Sequence, residues 1–168
     1  MNVILIGMPA SGKSCMGRSL SKALKMTNID TDRLIEQKTG RHLQEIINTD
    51  GLDEFKRIEE EILCTVEGDG LIISTGGSAV YYDKAMQHLK SIGTVVYLYA
   101  GMDTIIKRLG DFSKRGIALR KDQTIEDLYN ERCALYEKYA DITINCNGNA
   151  YNKYRDELIK AVEKKQSR

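Results

Sequence analysis

Gly7, four intervening residues and then Gly12-Lys13-Ser14 form the stretch GMPASGKSC, which follows the apolar run Val3-Ile4-Leu5-Ile6. The spacing fits G-x-x-x-x-G-K-[ST], a loop whose backbone amides cradle phosphate. Glycine permits the dihedrals that turn those amides inward. The helical pattern that follows adds its positive N-terminal end. In such a loop Lys13 reaches the β- and γ-phosphates of a nucleotide and the Ser14 hydroxyl coordinates Mg²⁺. Pro9, Ala10, Ser11, Gly12, Lys13, Ser14 and Cys15 are therefore the candidate nucleotide-binding residues. A glycine turn with no ligand does not call for Lys-Ser in those places.

A second pair of chemically capable residues is Asp30 and Asp32, at the end of the next short apolar stretch. Two acids at the carboxyl end of a parallel strand face the crevice where such sheets bind ligands. A helix N-cap at Thr31 or Asp32 is the plainer reading of the same residues. No N-K-x-D stretch of the guanine-binding kind is present, and no Walker-B-like apolar run ends in Asp. A small-molecule kinase fits better than an ATPase or GTPase.

Positioning these groups requires alternating elements. Asn2–Ile6, Asn28–Asp30, Leu71–Ser74, Thr94–Tyr99 and Ile142–Asn145 read as strands. Ser14–Met26, Asp53–Val66, Asp103–Leu109, Thr124–Tyr139 and Tyr151–Lys164 carry apolar residues at helical spacing. Strands alternating with helices imply an α/β fold with a parallel sheet covered on both faces. The charged run KRIEEE reads as a solvated helix face with Lys56 as its exception, and Tyr81-Tyr82 as packing residues, the alternative being a wall of the acceptor pocket. Residues 110–122 have two glycines, several charges and a weak period, and read as a lid.

Composition narrows the setting. The chain has 168 residues, enough for one domain with a sizeable core. A net charge of +1 gives no global pull toward nucleic acid or an anionic membrane. No apolar run is long enough for a membrane span and no signal peptide is visible. Four scattered cysteines without a C-x-x-C pair carry no zinc signal and suit a reducing, cytoplasmic setting. The expectation is a monomer that works on ATP and a small molecule.

Taken together, GMPASGKSCMGRSLSKAL, DTDRLIEQKTG, IINTDGLDEFKRIEEEIL, IISTGGSAV, VVYLYA and RCALYEKYAD resemble shikimate kinase over nearly the whole chain. The resemblance implies a P-loop, nucleoside-monophosphate-kinase-like fold with a five-stranded parallel sheet of order 2-3-1-4-5. It implies a substrate-binding helical segment at about 31–60 and a lid at about 110–122. The family transfers the γ-phosphate of ATP to the 3-hydroxyl of shikimate, on the route to chorismate and aromatic amino acids. By the same resemblance, Asp32 receives the acceptor hydroxyl, and Asp30 joins Ser14 as a water-mediated Mg²⁺ ligand. Arg132 pairs with the substrate carboxylate, and Gly76 and Gly77 approach the substrate ring. Arg115 reaches the transferring phosphate, and Arg108 stacks on adenine.

The sequence departs from the family pattern around the acceptor. The family's F-R-x-x-E reads Phe55-Lys56-Arg57-Ile58-Glu59, so a carboxylate-binding arginine is replaced by Lys56. Lysine keeps the charge and loses the planar fork. Arg57 is adjacent, about 100° around a helix, and is carried as a substitute candidate. Ser78 stands for the third glycine, Leu52 for a glutamate, Gly116 for the lid proline, Ala134 for another proline, and Cys15 for the loop threonine. Three readings stay open. The favoured one is a working shikimate kinase; the others are a related kinase for another small hydroxy acid or polyol, and a catalytically weak nucleotide-binding regulator.

Overall fold

The computed structural model describes residues 1–110 and 120–167. Five parallel strands form one sheet: β1 (Val3–Ile6), β2 (Thr27–Asp30), β3 (Leu71–Ser74), β4 (Thr94–Tyr99) and β5 (Ile142–Asn145). Their spatial order is β2-β3-β1-β4-β5, as the resemblance implies. The central strands β1 and β3 are buried at every position. That is why they read as unbroken apolar runs rather than alternating ones.

Register decides what the sheet presents at its carboxyl edge. Leu5 lies opposite Ser74, and Ser74 opposite Asp30. The chain leaves β1, β2 and β3 side by side, and delivers the phosphate loop, the Asp30–Asp32 pair and the Thr75–Ser78 turn to one crevice. β1 sits between β3 and β4, so successive connections leave it in opposite directions, which is where open α/β sheets bind ligands.

Helices cover both faces. α1 (Lys13–Leu24) buries Met16 and Leu20 against a core of Val3, Leu5, Ile72, Val96 and Leu158, the last from α8 (Tyr151–Gln166). The other face packs Ile4, Ile6, Ile73, Val95 and Tyr97 against α5 (Asp83–Ile92), α6 (Met102–Leu109) and α7 (Ile125–Tyr139). The segment after β2 forms three helices, α2 (Thr31–Thr39), α3 (Leu43–Asp50) and α4 (Leu52–Cys64). Ile35, Ile46, Phe55 and Ile62 give them a small core of their own. The lid expectation at 110–122, including Arg115, falls almost wholly outside the described residues. Among the described residues no helix is long and apolar enough to cross a membrane.

Candidate active site

Gly12 precedes α1 with φ at 103°, a left-handed conformation open to glycine at no steric cost. The turn brings the first residues of α1 to the wall of a cavity of 530 Å³. Pro9, Ala10, Gly12, Lys13, Ser14 and Cys15 line its loop side. Asp32, Glu59, Gly76, Gly77, Ser78 and Arg132 line the side across from it, with Phe55, Leu43, Thr75 and Arg18. The phosphate half and the acceptor half of the sequence reading thus share one space.

Lys13 is buried, and its Nζ donates to the carbonyls of Gly7 (2.7 Å) and Met8 (2.8 Å). Burial pulls its pKa down to about 8, with Asp32 pulling the other way. Asp32 is pushed up to about 6, chiefly by burial and then by the Asp30 charge, while Lys13 opposes the rise. Ser14 Oγ donates to Asp30 Oδ2 at 2.8 Å. The plainer reading of the acidic pair misplaces the cap: α2 is capped by Asp30, whose Oδ1 accepts from the Asp32 amide at 3.2 Å. Asp32 stands one residue inside the helix, and this leaves its carboxylate to the cavity.

The glycine turn after β3 explains its composition by distance. A Cβ on Gly76 would stand 2.7 Å from Glu59 Oε1 and 2.8 Å from Asp32 Oδ1. One on Gly77 would stand 2.8 Å from Arg132 Nη1. Side chains at either position would fill the space between the acids and the guanidinium. Arg132 itself is 3% exposed, and among the described residues its Nε has no partner. The capping box of Thr124 and Asp127 sets the start of α7. Tyr136 OH donates to Gly77 O at 2.7 Å and fixes α7 against the turn.

Several candidates lie elsewhere. Arg57 is exposed and held by Glu54 and Glu61 on the solvent side of α4, so its candidacy as a substitute fork is corrected: its guanidinium is already paired and points away. Lys56 is half-buried and absent from the cavity wall. Within the KRIEEE run Arg57 and Glu61 are exposed, Lys56 is half-buried, and Glu59 is the residue that is fully buried. Glu59 lies one turn after Phe55 and one turn before Ile62, and so shares the buried stripe of α4. Its Oε2 accepts from Ser78 Oγ (2.6 Å) and Tyr82 OH (2.8 Å), and burial pushes its pKa up to about 7. That amphipathic spacing was the signal available for it.

A second cavity of 260 Å³ opens behind the loop, lined by Ser11, Gly12, Cys15, Met16, Arg108 and Tyr151 among others. Arg108 spans it, with Nη2 donating to Cys146 O and Gly148 O at 2.7 Å each. Its guanidinium thereby joins the loop after β5 to the carbonyls of Ala10 and Ser11 in the phosphate loop. Of the four free cysteines, Cys15 is exposed beside both cavities, and burial pushes the Cys146 thiol up to about 11.

The family model for shikimate kinase matches residues 9–163. The chain belongs to the shikimate kinase family. A curated shikimate kinase of Clostridium botulinum (strain Okra / Type B1) is 41% identical over 165 residues, covering 96% of this chain and 94% of that protein. One from Mycobacterium avium (strain 104) is 41% identical over 148 residues, covering 86% and 83%. Among solved structures, shikimate kinase from Acinetobacter baumannii in complex with shikimate superposes with a TM-score of 0.89 at 27% identity, covering 99% of this chain and 95% of that one. Shikimate kinase from Aquifex aeolicus follows with 0.85 at 29% identity, covering 97% and 96%.

Proposed function

We propose that the chain transfers the γ-phosphoryl group of ATP to the 3-hydroxyl of shikimate. The observation that carries this reading is the shared cavity, in which a phosphate loop with a buried lysine faces a raised-pKa carboxylate and a buried, part-unpartnered guanidinium. Nucleotide phosphates lie along the loop, with the adenine in the second cavity against Arg108. The shikimate carboxylate takes the free donors of Arg132, and its 3-hydroxyl meets Asp32.

Phosphoryl transfer needs positioning and charge neutralisation more than covalent help. Asp32 accepts the hydroxyl proton as the acceptor oxygen attacks, and its pKa of about 6 leaves it ionised and basic near neutrality. Lys13 leaves its two backbone carbonyls and neutralises the phosphate charge. Ser14 and Asp30 set a hydroxyl and a carboxylate oxygen side by side, hard donors that fit Mg²⁺. When bound, Mg²⁺ would neutralise phosphate charge. Arg115 remains the proposed contributor from residues 110–122.

The test is ADP release from Mg·ATP with and without shikimate. Shikimate-dependent release is expected. Equal release without shikimate, or dependence on a different polyol acid alone, would overturn the reading.

A further inference from the structure

Among the described residues Arg132 has no partner on Nε, and its guanidinium carbon rests over the ring of Tyr81, 5.4 Å from the centroid. A π face attracts a guanidinium. Tyr81 lies in the 3-10 turn Ala79–Tyr81, directly after the Gly76–Ser78 turn, and stands outside the cavity wall. Its hydroxyl donates to Glu131 Oε1 at 2.6 Å. Glu131 and Arg132 are consecutive on α7, so their side chains diverge by about 100°, and Tyr81 fills the notch between them. Arg120 Nη2 closes the cluster on the far side, 2.6 and 2.7 Å from the two Glu131 oxygens.

We infer that Tyr81, fixed by Glu131, is a positioning residue that holds the Arg132 guanidinium in the orientation that meets the acceptor carboxylate. The inference rests on the reading of Arg132 as the acceptor-carboxylate ligand. It also answers a deficit in the sequence. Lys56 stands where the family pattern has a second arginine, so one fork carries the carboxylate, and a single fork depends on its own orientation. A face contact supplies that orientation.

The experiment is a shikimate titration at saturating Mg·ATP for wild type, Tyr81→Leu, Tyr81→Phe and Glu131→Gln. Each substitution at Tyr81 is repeated in an Arg132→Gln background. Tyr81→Leu is expected to raise KM for shikimate roughly 3- to 10-fold, the span of a partly desolvated cation–π contact. Its kcat and its KM for ATP should stay within about twofold, since orientation of a ground-state contact is uniform binding. Tyr81→Phe keeps the face and should recover most of the loss. Glu131→Gln should raise KM about two- to threefold by loosening the ring, the scale of one hydrogen bond. In the Arg132→Gln background the Tyr81 changes should add nothing. An unchanged KM in Tyr81→Leu overturns the inference, as does an equal rise without Arg132. Should Tyr81→Leu fail to fold, Tyr81→Phe and Glu131→Gln carry the test, and a KM unchanged in both overturns it. Wild type without shikimate-dependent turnover defeats the functional reading instead, a result distinct from all of these.

Discussion

Ser78 donates a 2.6 Å hydrogen bond to Glu59, a carboxylate with no exposed surface at all. The serine stands where the family pattern has a third glycine. The added side chain turns to α4 and ties the turn after β3 to it, together with Tyr82. Glu59 keeps one oxygen, Oε1, without a partner among the described residues, beside Gly76.

That bond predicts a pH-dependent stability effect. Glu59 is raised to about 7 by burial, and Ser78 and Tyr82 act against the rise. Ser78→Ala should therefore cost more above about pH 7, where Glu59 is ionised, than near pH 5, where it is protonated. A bond to a charged acceptor is worth about 1.5–3 kcal/mol, and a neutral one about 1. Thermal melts of wild type and variant across pH check this. A loss that is the same at both ends would show that Ser78 does not bond the ionised group.

Asp32 carries the opposite lesson, a site residue that costs stability. Its folded pKa of about 6 exceeds the ordinary aspartate value, so the folded state holds a proton that the unfolded chain releases. Stability from this group falls as pH rises between about 4 and 6, and stays lower above. Asp32→Asn removes that penalty. The variant should melt higher than wild type above about pH 6, by on the order of 2 kcal/mol, and match it near pH 4. At the same time kcat should fall by roughly 10²–10⁴-fold, the scale of a lost general base.

The pH–rate profile follows from the same two groups. Turnover needs Asp32 ionised and Lys13 protonated. In the free enzyme kcat/KM should rise through about pH 6 and fall through about pH 8. Lys13→Ala should abolish turnover rather than shift the limbs, because the charge that neutralises the transferring phosphoryl group is gone. A flat profile from pH 5 to about 9 would contradict both assignments.

Arg132 and Lys56 should separate cleanly. Arg132 lies in the cavity and Lys56 does not line it. Arg132→Ala should raise KM for shikimate at least about 10-fold, the scale of one or two lost charge-assisted hydrogen bonds. Lys56→Ala should change it by no more than about threefold, as expected of a screened, half-exposed charge. Reversal of that ranking in a shikimate titration would return the carboxylate site to α4.

Much of this architecture was readable beforehand, for physical reasons that also explain the gaps. The parallel strands are buried on both faces, so they read as unbroken apolar runs. The phosphate loop is local, so spacing alone identifies it. α2 and α3 escaped separate reading because each buries very little: Thr31 and Ile35 in one, Ile46 in the other. Too little of either is buried to make a period. Glu59 was hidden by its charged neighbours, although its spacing from Phe55 and Ile62 marks the buried stripe. Tyr81 meets Arg132 across about fifty residues of chain, and no local pattern encodes a contact that the packing of α7 creates.

Product analysis tests the central claim most directly. Shikimate and Mg·ATP incubated with the protein should yield a shikimate monophosphate, with phosphorus NMR and mass spectrometry placing the ester on the 3-oxygen. No phosphorylated shikimate, or an ester on another hydroxyl, would contradict an acceptor held by Arg132 and presented to Asp32.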